Sequence, residues 1–311
     1  MNYINNAGKG GNHFYQYIFT VIAVIFGYFI GQIPLYIAIF IKMSNDAGIG
    51  TDELNEFAGN PDFSILGIDK NMGFFIILCT FLGALAALYV SIRYIHKRSF
   101  LSLFSFEERI DWKRLIWSTL LWFSMLFVVE IILIFLNPDI YIFKPPDYSF
   151  IILLAIVILI LPFQTAFEEL FVRAYIFQSV SYNSKSILIG YIFSILVFAF
   201  LHGANPEIAK YGIFEMMLYY VFAAIVLGLI VIFDNRIELA IGVHTATNMF
   251  GALFVTYKGA AIQTESLYLT TEIDPMLQAF EILILGMVFI LIAKWKYKWD
   301  FSEIKLKKHN E

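Results

Sequence analysis

The chain has 311 residues, of which 60% are hydrophobic, 18% aromatic and only 15% charged, and its mean hydropathy is +0.75. Soluble domains carry about 25% charged residues and disordered chains lack such apolar content, so a polytopic membrane protein remains. A net charge of −4 and a pI near 5.8 leave no basic surplus for nucleic acid, and the single cysteine, Cys79, supplies neither a disulfide nor a cysteine metal cluster.

A membrane-crossing helix needs about 20 mostly apolar residues. In chain order, eight runs qualify: 14–41, 72–95, 115–136, 149–180, 186–203, 212–233, 237–257 and 276–293. The first is too long for a signal-peptide core and no small-x-small site follows it, so it reads as a retained span. It contains Gly27 and Gly31, a GxxxG spacing that predicts close helix packing. Residues 43–71, acidic and holding Gly and Asn, read as a solvated outer connection. In 99–114, Ser105 and Glu108 stand at capping-box spacing and predict a short interfacial helix. The fourth run would be about 48 Å long if straight, against a hydrocarbon core of roughly 30 Å. Pro162 is therefore expected to kink it or to start a separate half-helix. No long repeat is found, which weakens a transporter built from two halves. The expected fold is an all-α polytopic bundle of about eight spans forming one membrane domain, 1–311.

With the N-terminus inside, fifteen of the 21 Lys and Arg fall on the cytoplasmic side. They are Lys9, the Arg93 to Arg114 group, Lys185, Arg236 and the basic residues from Lys294 to Lys308. Five (Lys42, Lys70, Lys144, Lys210 and Lys258) fall outside, and Arg173 lies within a run. Trp112, Trp117, Trp295, Tyr297 and Trp299 sit at the inner interface. An even number of spans with both termini cytoplasmic follows, in a multi-pass protein of the cell membrane.

An ionisable side chain at bilayer depth costs about 2.5 to 3.5 kcal/mol on insertion scales, so each needs a partner or a task. The densest cluster is LPFQTAFEELFVRAYIF, which carries Glu168, Glu169 and Arg173. Glu169 and Arg173 are four apart and share a helix face; Glu168 is rotated by about 100°. Arg173 is thus expected to neutralise and orient Glu169, leaving Glu168 as the freer carboxylate, suited to act as a base. The plainer reading is a solvated ion pair at a helix end. His202 (FAFLHGANPE) and His244 (IGVHTATNMF) are the two histidines in or at the end of runs, whereas His13, His96 and His309 lie in tails or loops. Either alone reads as a hydrogen-bonded structural histidine. His244 and Asn248, four apart, form two neighbouring polar groups able to hydrogen-bond an oxyanion. Phe198, one turn before His202, is equally well explained by packing. Glu130, Glu215 and Glu281 lack a basic neighbour one turn away and read as bundle-facing or interfacial.

The motifs EExxxR (Glu168, Glu169, Arg173), FxxxH (Phe198, His202) and HxxxN (His244, Asn248) occur in that order on successive runs. With them the chain resembles the CPBP intramembrane proteases, which include type II CAAX prenyl endopeptidases and Abi-type proteins linked to bacteriocin processing and self-immunity. The resemblance covers 149–257. It implies a hydrolase in which Glu168 and His202 activate a water, His244 and Asn248 stabilise the oxyanion, and Glu169 and Arg173 support Glu168. No cofactor is expected. If zinc were bound, Glu168, His202 and His244 would be its ligands, but there is no HExxH and Asn248 is a poor zinc ligand. No run contains an Asp and no GxSxG occurs, so aspartyl and serine intramembrane types fit less well. The implied partners are the bilayer and a peptide or protein substrate; the alternative is a non-catalytic immunity or scaffold protein that binds a peptide or partner in the membrane.

Overall fold

Four aspartates stand immediately before long apolar segments, and each carboxylate accepts the backbone N–H groups that a helix start leaves unpaired. Asp69 accepts from Met72, Asp111 from Lys113 and Arg114, Asp147 from Phe150, and Asp274 from Met276 and Leu277. These caps open α4 (Lys70–Val90), α5 (Trp112–Leu136), α6 (Tyr148–Leu159) and α13 (Pro275–Tyr297). The computed structural model describes residues 2–45 and 50–300. Lys305, Lys307, Lys308 and His309 of the sequence reading, and 46–49 of its outer connection, lie outside the described residues.

The remaining helices are α1 (Phe14–Gly31), α2 (Ile33–Asn45), α3 (Thr51–Gly59), α7 (Leu161–Glu169), α8 (Phe177–Ser184), α9 (Ile187–His202), α10 (Pro206–Tyr211), α11 (Ile213–Asp234) and α12 (Glu238–Leu253). Among the described residues, six segments are long and apolar enough to cross a membrane: Phe14–Asn45, Lys70–Ile95, Trp112–Leu136, Tyr148–Ser184, Ile213–Asp234 and Pro275–Tyr297. The fifth and seventh predicted runs form α9 and α12, each 16 residues and so about 24 Å long, shorter than a full crossing. For α12 the reason is its place: eleven of its residues are buried inside the bundle, where protein rather than lipid surrounds it. The outer surface is apolar, with Phe135, Phe200 and Trp295 exposed by 81%, 81% and 84%, as lipid-facing side chains are. The protein is an integral-membrane helical bundle.

The predicted glycine contact is present between α1 and α4. A Cβ on Gly27 would lie 2.5 Å from the Ala87 Cβ, and one on Gly31 would lie 2.6 Å from the Cys79 carbonyl. Across the same seam, a Cβ on Gly83 would meet the Gly27 carbonyl at 2.3 Å. Gly242 lets α12 approach α5 in the same way, against Leu115 and Ser118.

Three features depart from expectation. The outer connection 43–71 is not merely solvated: α3 and a 3₁₀ turn at Phe63–Leu66 pack Phe63, Leu66 and Ile68 against Leu35, Ile39 and Phe57. The interfacial helix predicted from Ser105 is replaced by a 3₁₀ turn at Phe100–Leu103 followed by a reverse turn. There Glu108 adopts a positive φ of 55° and its carboxylate pairs with Lys9 at 2.9 Å, so it cannot close a capping box. The third is a small sheet of three-residue strands, β1 (Tyr141–Phe143), β2 (Val255–Tyr257) and β3 (Tyr268–Thr270), in the order β1-β3-β2. β3 is antiparallel to β1 and parallel to β2. It ties the segments after α5 and α12 to the one before α13.

Pro162 has the predicted effect. The fourth span breaks at Ile160 and restarts as α7 with Pro162 in its first turn, where the missing N–H costs nothing. α7 carries Glu168 and Glu169, and a π-helical segment, Leu170–Ile176, follows directly. Such wide turns inside α-helices are frequent at functional sites.

Candidate active site

Glu169 sits at the C-terminal end of α7, fully buried, and its Oε1 accepts a 2.8 Å bond from Arg173 Nη1 one turn further on. Two charges at that depth persist only as a pair, so the guanidinium fixes the carboxylate in place. The Arg173 guanidinium carbon lies 3.7 Å from the centre of the Phe198 ring, so α9 covers the cation with an aromatic face. Arg173 Nε and Nη2 and Glu169 Oε2 make no hydrogen bond among the described residues.

The same Glu169 Oε1 receives His244 Nδ1 at 2.8 Å. Because a carboxylate only accepts, Nδ1 carries a proton and the ring orientation is fixed, with Nε2 3.5 Å from Glu168 Oε2. Glu168 is partly exposed, its side chain 15% accessible, and its Oε1 accepts from Gln164 Nε2 at 3.2 Å. The two adjacent acids point to different surroundings, Glu169 sealed by Arg173 and Glu168 toward the open volume.

His202 closes α9. Its Nδ1 lies 2.8 Å from the Phe198 carbonyl, which also only accepts, so in the neutral ring Nε2 holds the lone pair. The imidazole lies between the rings of Phe198 and Tyr220, with centroids 4.2 and 4.4 Å away. Phe198 also meets His244 edge-on at 6.1 Å. The Asn248 side chain, one turn beyond His244 on α12, makes no hydrogen bond among the described residues and so retains its donor for a guest. Glu168, His202, His244 and Asn248, from three separate segments, line one cavity of about 1820 Å³.

Several residues that hold this arrangement carry no local signal. Thr165 and Thr245 join α7 to α12 by a 2.7 Å hydroxyl contact, and Trp122 Nε1 donates to Thr247 from α5 at 2.8 Å. Tyr220 is fixed by Asn205, which donates to its hydroxyl at 2.7 Å, and by Glu207, which accepts from it. Gln164 alone could have been found, since it lies four residues before Glu168 on the same face. Of the acids read as bundle-facing, Glu130 accepts from Tyr141 at 2.7 Å, and both Glu130 and Glu281 line the cavity, whereas Glu215 does not. Among the described residues, no three His, Cys, Asp or Glu side chains are grouped as a metal site.

No solved structure matches the chain. An uncharacterized protein of Bacillus subtilis (strain 168), YyaK, is 28% identical over 297 residues, which cover 95% of this chain and 96% of its own length. Residues 148–250, about a third of the chain and the part that holds all three motifs, match the family model of the type II CAAX prenyl endopeptidase Rce1-like proteins, the family that those motifs resemble.

Proposed function

We propose that the protein is an intramembrane endopeptidase that hydrolyses a peptide bond with a water activated by Glu168. The observation that carries this reading is the division of labour between the two adjacent acids. Glu169 is sealed by Arg173 and orients His244, while Glu168 faces the cavity shared with His202 and Asn248.

In this mechanism a water between Glu168 and the peptide carbonyl loses its proton to Glu168, assisted by the lone pair on His202 Nε2. The tetrahedral oxyanion is met by the Asn248 amide and by His244 Nε2 when that nitrogen carries a proton. Collapse of the intermediate returns the proton from Glu168 to the leaving amine. Every step uses side chains of this chain, and no metal enters. The substrate is a peptide or protein segment at the membrane, of CAAX-type or bacteriocin-related sequence, and the location is the cell membrane.

Purified protein in lipid nanodiscs should cleave membrane peptides, and Glu168→Gln should lower the rate by about 10² to 10⁴ while insertion and thermal unfolding stay unchanged. Undiminished cleavage by that variant would refute the mechanism. Treatment with a strong zinc chelator should leave the wild-type rate intact. Activity lost on chelation and regained with zinc would replace the general-base water by a metal-bound one.

A further inference from the structure

The cavity has a charge of one sign. Its charged lining residues are Glu130, Glu168, Glu207, Glu272, Asp274 and Glu281; among the described residues no Lys or Arg lines it. Arg173 lies behind the Phe198 ring and is taken up by Glu169. Two of the acids have other work, since Asp274 caps α13 and Glu130 accepts from Tyr141.

Glu207 is different. It stands in the connection between α9 and α11, is 3% exposed, and its Oε1 accepts from the Tyr220 hydroxyl. Its Oε2 is buried and makes no hydrogen bond among the described residues. Burial pushes its carboxyl group above the usual range, against the pull of Tyr220, Asn205 and the backbone at Ala261. That is the condition of an acid short of positive charge. The Tyr220 ring that Glu207 fixes is the one stacked on His202, so the unpaired oxygen belongs to the immediate surroundings of the proposed site. Tyr219 and Tyr257 line the same part of the cavity and offer ring faces to a cation.

We propose that the cavity selects peptides with a lysine or arginine near the bond to be cut, and that Glu207 is the specificity-determining residue that receives the ammonium or guanidinium group. This rests on the endopeptidase reading for the nature of the guest. A cation entering a low-dielectric cavity loses hydration and needs an opposite charge, which Glu207 Oε2 supplies. An acidic side chain at the same position would meet only like charge, so the site rejects it as well as lacking a partner for it.

The test uses full-length protein in nanodiscs and a series of otherwise identical fluorescent peptides carrying Lys, Met or Glu at each position around the cleavage site. Affinity is measured on the Glu168→Gln protein and cleavage on the wild type. At one position the Lys peptide should bind about 30-fold more tightly than the Glu peptide, with Met between. Glu207→Gln, placed in the Glu168→Gln background, should collapse that ratio, whereas Glu215→Gln, which removes an acid outside the cavity, should preserve it. Equal affinity for all three peptides, or a ratio that survives Glu207→Gln, overturns the proposal; the peptide series decides it even if Glu207→Gln fails to fold. Charge-selective binding without any cleavage would support this inference and refute the endopeptidase. Cleavage without charge selectivity would do the reverse.

Discussion

Arg173 is the residue whose removal should be felt most widely, because it is 1% exposed and neutralises an acid with no exposure at all. Arg173→Met leaves Glu169 as an unpaired carboxylate inside the bundle, which costs about 3 to 5 kcal/mol. It also frees the group that fixes His244. The double variant Glu169→Gln with Arg173→Met removes both charges and should regain much of that loss while remaining poorly active, since His244 keeps only a neutral acceptor. Heat unfolding in detergent separates the two variants; equal melting points would show that the unpaired carboxylate carries no cost. The pair could be read in the sequence because four-residue spacing on a helix dictates which side chains meet. So could the exposure of Glu168, from its rotation about the same axis. Tyr220, Asn205 and Glu207 could not, because their contacts with His202 and with one another arise from how α9, α10 and α11 are folded together. No spacing rule encodes that.

At the scale of elements, the seam between α1 and α4 depends on small residues, since Gly27 and Gly83 leave no room for even one more carbon. Gly83→Leu should force the helices apart and destabilise the protein by about 1 to 3 kcal/mol. Gly59→Leu makes a suitable control, because nothing lies within 4 Å of the Cβ it would add. If both substitutions shift the unfolding temperature equally in the same detergent, the seam is not what holds α1 in place. Gly27 and Gly31 announced this contact by their spacing, and Pro162 announced the break in the fourth span by chemistry that no neighbour can override. The signal at Ser105 and Glu108 failed for the opposite reason. A capping box is a weak local preference, and Lys9, almost a hundred residues away in sequence, takes the carboxylate that would have completed it. The three-residue strands were illegible because each is too short to show alternation, and pairing comes from segments far apart in the chain.

Over the whole molecule, the ion pairs keep to the two sides that the Lys and Arg distribution assigns. Lys9 pairs with Glu108, Arg114 with Asp234, and Arg236 with Glu107 and Glu238, all at the end assigned to the cytoplasm. Lys70 and Lys144 share Glu265 at 3.0 and 2.9 Å at the end assigned outside, where Lys210 also donates to the Lys258 carbonyl. Between them lies Glu169 with Arg173, sealed within the fourth span, and the same two-acid cluster takes His244. A charge map read along the chain and a contact map read through space therefore divide the molecule at the same level, although the basic-residue excess alone decides which end faces inward. Five of the six acids in the cavity belong to segments at the outer end, so peptide would approach Glu207 from that side. Single-cysteine labelling tests the assignment directly, because Cys79→Ser removes the one natural thiol. Lys258→Cys should react with a membrane-impermeant maleimide on intact cells, and Lys185→Cys, also an exposed position, only after permeabilisation. The opposite pattern would turn the protein over in the bilayer and bring the acidic end of the cavity to the cytoplasm, while labelling of both thiols from outside would mean that the chain crosses the membrane an even number of times between them.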